Sequence, residues 1–201
     1  MSDTPDAALL PTPEQFNALI RARRSIQPVQ FEPGRVVPDE VVQMLLENAN
    51  WAPTHKRTEP WRFVVFTGAG LAKLAEFQAG LYRQQAGEFV DEKKAQKLAT
   101  NPLLASHVIA IGMKRHHVLP EIEEVEAVAC AVQNLHLSAV AYGLGGYWGS
   151  GGITYLEEAK PFFGLGPEDK LLGFFYLGYV QQQPGRNLRK PIEEKVTWVT
   201  E

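Results

Sequence analysis

The sequence is poor in the residues that cross-links and metal sites need. It has one cysteine in 201 residues, so no disulfide can form within the chain and a zinc site with four cysteine ligands is excluded. No apolar run approaches the roughly 18 residues of a membrane-spanning helix. The first residues are acidic and lack the apolar core of a signal peptide. These absences predict a soluble protein of a reducing compartment, the cytoplasm.

Basic residues are not in excess either. The 20 lysines and arginines face 23 acidic residues, for a formal charge of −3. That balance argues against a general nucleic-acid-binding protein, which normally carries a basic surplus. Apolar residues make up 45% of the chain, close to the globular average, so the chain can bury a core without cross-links. We expect a flexible tail at residues 1–11 and a single domain at 12–201.

The order of predicted elements indicates an α+β fold. Thr12, Pro13 and Gln15 form the capping box of a first helix. The longest helix, 121–142, is apolar nearly all round, so it is either a central core helix or one shared with a second subunit. Further helices are predicted from Pro38-Asp39-Glu40 until Pro53 stops the second helix, over 70–100, and at about 155–163. Gly80 and Gly87 suggest a break or a mobile middle in the region 70–100. Strands are predicted at 61–66, 108–113 and 171–180, with a strand-like glycine-rich segment at 143–152.

Few side chains are arranged for catalysis. The adjacent His116 and His117 diverge and have no carboxylate at ligand spacing, so they are interpreted as solvated loop residues. His136 is predicted to be a hydrogen-bonded core residue, and Cys130 a small apolar residue rather than a nucleophile. Ser150 does not fit the Gly-x-Ser-x-Gly motif of a nucleophile elbow, because position 148 is Trp. No catalytic side chain and no metal site are predicted.

Three groups of basic residues occur in this net-acidic chain. Arg23 and Arg24 follow the first helix beside the hydroxyl of Ser25, a combination suited to a phosphate. The other groups are His55-Lys56-Arg57 and the set Arg186, Arg189 and Lys190. They are consistent with one small anionic ligand or with ordinary surface charge. The glycines at 143–152 follow a helix, the wrong order for a dinucleotide fingerprint, although they would let the backbone approach a flat ligand.

Three motifs resemble the FMN-dependent nitroreductase family, in the family's order. Arg23 to Ser25 resembles the opening Arg-x-Ser signature, and residues 52–63 resemble the segment A-P, six residues, P-W-x-F. Residues 189–194 are similar to the basic-Pro-acidic tail. The match covers about residues 13–200. The His-Lys variant at 55–56 and the Gly-Gly-x-Trp-x-Ser-Gly segment at 145–151 resemble the small, single-domain bacterial branch.

The resemblance implies a three-layer α-β-α sandwich with a small, mainly antiparallel sheet, in an intertwined homodimer with FMN at the subunit interface. Arg23 and Ser25 match positions that hold the FMN phosphate and ribityl chain, and Arg24 a position near the isoalloxazine. Arg189 matches a residue that reaches the phosphate. The remaining implied FMN contacts are Trp148, Gly149 and Ser150 along the ring edge, and Trp51 and His55 from the other subunit. Arg57 and Glu59 stand where many relatives have Asn and Gln.

The implied activity is that of an NAD(P)H-dependent FMN oxidoreductase. Hydride would pass from NAD(P)H through flavin N5 to a nitroaromatic, a quinone or a similar electron-poor acceptor, in a ping-pong cycle that needs no catalytic side chain. Trp51, Trp148 or the stretch 80–95 would shape the acceptor pocket. Apart from the second subunit and the small-molecule acceptor, no nucleic acid and no membrane partner is expected. The alternative is a non-catalytic protein that binds or senses flavin.

Overall fold

The computed structural model describes residues 10–185 and 188–201, so most of the predicted tail and Arg186 lie outside the described residues. The α-helices are α1 Pro13–Ala22, α2 Asp39–Asn50, α3 Ala69–Ala86, α4 Glu92–Thr100 and α5 Glu121–Ala141. The strands are β1 Trp61–Thr67, β2 His107–Met113, β3 Leu144–Gly149 and β4 Lys170–Tyr179. Within the described ranges, no helix has both the length and the apolar character needed to cross a bilayer.

The four strands form one antiparallel sheet in the order β1-β2-β4-β3. Side chains alternate between its faces, as the strand period requires. Phe175 and Leu177 of β4 pack in a cluster with α2 and α5, whereas Phe174 and Tyr176 pack in a second cluster with α3 and residues 159–165. Helices therefore cover both faces, and the predicted three-layer α-β-α sandwich with an antiparallel sheet is confirmed.

Local sequence signals account for several element boundaries. The capping box of α1 is confirmed, because the Thr12 hydroxyl accepts from the Gln15 amide at 3.3 Å and the Gln15 side chain accepts from the Thr12 amide at 2.9 Å. The region 70–100 breaks at Gly87, whose φ is +53°, while Gly80 stays inside α3. The predicted short helix is a 3-10 helix, Glu157–Phe163, which contains a proline that cannot donate an α-helical hydrogen bond.

Helix α5 is covered on one side only. Val128, Ala131 and Leu135 are buried against the sheet and α2, whereas Cys130 and Gln133 are exposed on its outer face. Within one chain, α5 is therefore not the fully surrounded core helix that was one of the two expectations. Its outer face, defined here by Glu126, Cys130, Gln133 and Ala141, is the part left without a covering layer in the described residues.

A buried ion cluster fixes the start of α5. Glu124 is completely buried and accepts hydrogen bonds from the Arg115 guanidinium and from His116, whose Nδ1 lies 2.8 Å from its carboxylate. Burial alone would raise the pKa of Glu124, but the hydrogen bonds from His116 and Arg115 outweigh it and hold the pKa below its usual value. The prediction that His116 is a solvated loop residue is therefore wrong, because the fold brings a buried carboxylate to it.

Candidate functional site

Positive charge is concentrated where the segment that follows α1 meets the C-terminal segment. Burial lowers the pKa of the Arg23 guanidinium, and the nearby charges of Arg189 and Arg24 lower it further. Arg24 donates a hydrogen bond to the carbonyl of Gly185, which holds the C-terminal segment beside it. Among the described residues, neither Arg23 nor Arg24 forms an ion pair with a carboxylate. Neighbouring guanidiniums such as those of Arg23 and Arg24 suit a phosphate.

Ser25 connects this cluster to the sheet. It forms a parallel bridge with Gly146 of β3, and the amide of Ile26 donates to the Gly146 carbonyl at 2.9 Å. From Gly146 the strand continues to Trp148 and Gly149, and Ser150 follows. At the usual strand rise, Ser150 is on the order of 13 Å from Gly146. One strand therefore joins the basic cluster to the predicted Trp-Gly-Ser segment.

A cavity of about 300 Å³ lies beside this segment. The indole nitrogen of Trp148 donates to the Leu172 carbonyl at 3.1 Å, which fixes the ring at the cavity wall. The lining residues are Val125, Trp148, Ser150, Tyr155 and Leu172. Since Trp148 and Ser150 line one cavity, a flat ligand along the end of β3 would meet an aromatic and apolar surface with a hydroxyl at its edge.

Gly173 allows β3 and β4 to approach at this point. Its φ is +122°, and a Cβ there would lie 2.4 Å from the Gly149 carbonyl oxygen and 3.0 Å from the indole nitrogen of Trp148. The pairing of β2 with β4 also shifts register here, between Ile111 and Gly112. The position of Trp148 therefore depends on the missing side chain at residue 173.

Two predicted site residues lie apart from the basic cluster and the cavity. Trp51 is 85% exposed at the end of α2, and the Nδ1 of His55 lies 2.6 Å from the carboxylate of Glu123 on α5. The loop after His55 has positive φ angles at Lys56, Arg57 and Glu59, an uncommon conformation for residues with side chains. That Trp51 and His55 serve the site of another subunit stays a prediction.

His136 is buried on α5 beside the basic cluster. Its Nε2 lies 3.0 Å from the Arg24 carbonyl oxygen, and its ring meets Phe175 edge-on at 5.1 Å between centroids. Burial, together with the charge of Arg23, lowers its pKa from 6.5 to about 4, against the raising effect of the neighbouring backbone of Arg24 and Gly146. The prediction of a hydrogen-bonded core histidine is confirmed.

The lowered pKa of His136 predicts a loss of stability in mild acid. The folded protein keeps the ring neutral, whereas the unfolded chain takes up a proton below the ordinary pKa of 6.5. The contribution of the neutral His136 ring to the free energy of unfolding is complete above pH 6.5 and is lost as the pH falls towards 4. We therefore expect the free energy of unfolding to drop by about 2 kcal/mol from pH 7 to pH 5. Urea unfolding measures this. Because glutamine does not titrate, the free energy of unfolding of His136→Gln should fall less between pH 7 and pH 5. An equal fall in both proteins would contradict the lowered pKa of His136.

A comparison with known proteins gives the family. The model described as Nitroreductase family matches residues 20–179. The chain belongs to the nitroreductase family. The resemblance to this family, and with it the prediction of an enzyme, is confirmed. A curated relative from Escherichia coli K12 with the provisional name NAD(P)H nitroreductase YdjA is 32% identical over 154 residues, which are 76% of this chain and 82% of the relative.

Solved structures share the fold. The crystal structure of a nitroreductase-like family protein from Bacillus cereus is 27% identical, has a TM-score of 0.79, and is matched over 94% of this chain and 98% of that one. The FMN-dependent nitroreductase NfnB from Mycobacterium smegmatis, crystallised in complex with NADPH, is 19% identical with a TM-score of 0.70, over 92% and 98% of the two chains.

In this member of the nitroreductase family, sequence reasoning left some residues of the site out. Val125 and Leu172 line the cavity, but they lie on α5 and β4, and nothing in their local sequence marks them. Tyr155 is an aromatic residue soon after the glycine-rich segment, a signal that could have been used. The contact of His136 with the backbone of Arg24 joins residues far apart in the chain, so only the fold reveals it.

Proposed function

We propose that the protein is an FMN-dependent NAD(P)H oxidoreductase that reduces nitroaromatics, quinones or similar electron-poor acceptors. The observation that carries the proposal is the cluster of Arg23, Arg24 and Arg189, tied through Ser25 to the strand of Trp148. The name of the relative YdjA, and the description of NfnB as FMN-dependent and in complex with NADPH, support this choice of cofactors. The resemblance in sequence supports the same assignment.

The donor set of the basic cluster fits the phosphate of FMN. Guanidiniums present several N–H groups in a planar fork that matches phosphate oxygens, and the exposed Ser25 can add a hydroxyl. We assign the phosphate and ribityl chain to Arg23, Ser25 and Arg189, and place Arg24 nearer the ring. The ring edge would follow Trp148, Gly149 and Ser150.

The chain itself would bind, orient and exclude water. When bound, FMN supplies hydride transfer from NAD(P)H to the acceptor through N5, in two half-reactions of a ping-pong cycle. Positive side chains near the ring stabilise negative charge that develops there. The aromatic wall formed by Trp148 and Tyr155 suits flat, electron-poor acceptors. No side chain has to act as a nucleophile or general acid.

We further propose that residues 12–201 form one domain that works as a homodimer, with FMN between the subunits. Three observations support this. The outer face of α5 is uncovered, Trp51 and His55 lie apart from the basic cluster, and residues 188–201 are exposed throughout. That C-terminal segment includes Trp198, 85% exposed, an apolar side chain of the kind that interfaces bury.

The proposal predicts a colour change. Protein loaded with FMN is expected to be yellow, to bleach when NADH or NADPH is added without oxygen, and to regain its colour when a nitroaromatic is added. Absorbance near the flavin band measures each step. Free FMN at the same concentration is the control for uncatalysed reduction. Retention of colour with both nucleotides would contradict the reductase and favour the non-catalytic flavin-binding alternative.

A further inference from the structure

We propose that His136 is a positioning residue for the FMN phosphate, because its ring clamps the segment Arg23–Ser25 onto β3. The inference rests on the proposed function and adds to it a residue behind the binding surface. His136 lies on α5, outside every sequence motif that the family resemblance used. It is 5% exposed, so it acts through the segment it holds and not by contact with a ligand.

In the hydrogen bond between His136 and Arg24, the histidine ring is the donor. A carbonyl oxygen can only accept, so the Nε2 of His136 carries the proton and donates to Arg24 over 3.0 Å. The ring also packs against Gly146 of β3, where a Cβ would lie 3.0 Å from Cδ2 of His136. One imidazole therefore contacts both the segment after α1 and the strand beside it. Phe175, packed edge-on, restricts rotation of the ring.

The clamp completes a three-point attachment of the segment. The amide of Arg23 donates to the Leu19 carbonyl at 3.2 Å, which ends α1, and the amide of Ile26 donates to the Gly146 carbonyl at 2.9 Å. Between these points, the Arg24 carbonyl is held by His136. Because a binding segment that is already ordered loses less entropy when the ligand arrives, this attachment favours phosphate binding.

The strand is shaped to admit the ring. A Cβ at Gly146 would lie 2.3 Å from the Phe175 ring and 3.0 Å from Cδ2 of His136. Gly146 is also the residue that pairs with Ser25. The same glycine therefore gives room to the imidazole and receives the segment that the imidazole holds, which makes His136 part of the phosphate site's construction.

The test compares FMN with riboflavin, which has the same ring and no phosphate. We expect His136→Leu to raise the Kd for FMN about tenfold, the factor expected for one lost hydrogen bond, and the Kd for riboflavin by less than about twofold. His136→Gln, whose amide nitrogen can replace Nε2, should restore most of the FMN affinity. Flavin fluorescence titration gives both constants, and thermal unfolding confirms that each variant is folded.

A second buried histidine provides the matched control. His107 is 1% exposed and is hydrogen-bonded to Ser106 and Asp39, away from the basic cluster. His107→Leu should lower the Tm and leave the ratio of the two Kd values unchanged. If His136→Leu does not fold, His136→Asn, whose amide is too short to reach Arg24, takes its place with the same expectation.

The outcomes separate the inference from the proposed function. A His136→Leu protein that keeps the wild-type ratio of the two Kd values overturns the positioning role. This holds whether the Kd values for FMN and riboflavin stay the same or rise by an equal factor. A wild-type protein that binds FMN no more tightly than riboflavin overturns the phosphate site itself, and the inference with it.

Discussion

Replacement of Arg23 by alanine is expected to raise the Kd for FMN about 100-fold, the upper range for a charge-assisted hydrogen bond in a partly buried site. Burial already lowers the pKa of its guanidinium, and Arg189 and Arg24 add repulsion. An anion in this cluster relieves that repulsion, so the charge contributes more to binding than an isolated surface arginine would. Titration of the apoprotein with FMN, followed by flavin fluorescence, measures the constant.

Arg83→Ala is the matched control for this experiment. Arg83 lies on α3, is exposed, and pairs with Glu92 at 2.9 Å, so its loss changes the net charge equally. We expect its FMN affinity to stay within about twofold of wild type, since exposed pairs contribute little. Should Arg23→Ala retain full flavin occupancy at low FMN concentration, the phosphate has been assigned to the wrong residues.

Gly173→Ala is expected to lower the free energy of unfolding by about 4 kcal/mol, the sum of a strained φ and an overpacked contact. The new Cβ would meet the Gly149 carbonyl oxygen at 2.4 Å, and a backbone atom cannot rotate away. The strands must separate, and Trp148 must move with them. Urea unfolding monitored by tryptophan fluorescence reports both changes.

Gly80→Ala separates this effect from that of adding any methyl group. Gly80 lies within α3, and a Cβ there would have no atom within 4 Å. Alanine favours the helix more than glycine, so this variant should gain up to about 1 kcal/mol. A Gly173→Ala protein with the wild-type unfolding midpoint would show that β3 and β4 do not pack as closely as described.

Local interactions explain why much of the fold could be predicted. The capping box at Thr12 and Gln15 uses residues three apart, and the apolar runs of β2 and β4 are visible in short windows. The position of the break between α3 and α4 was harder to predict from the sequence. Gly80 and Gly87 look alike in sequence, yet of the two only Gly87 takes a positive φ and ends the helix.

Long-range contacts explain what the sequence left open at the site. Arg23 and Arg24 stood out beside Ser25, but their approach to Arg189 depends on where the C-terminal segment runs. Likewise His116 looked solvated, because its partner Glu124 is brought to it by the start of α5. The motifs therefore identified candidate ligand contacts, whereas the residues that pack against or hydrogen-bond to predicted residues became visible only in the tertiary structure.

The position of Cys130 has a practical consequence. It is the one cysteine in the chain and is exposed on the outer face of α5. A maleimide would therefore react at a single place without removal of other thiols. The proposed homodimer would cover this face, so slower labelling of Cys130 in the dimer than in separated chains would report that the two copies of α5 meet.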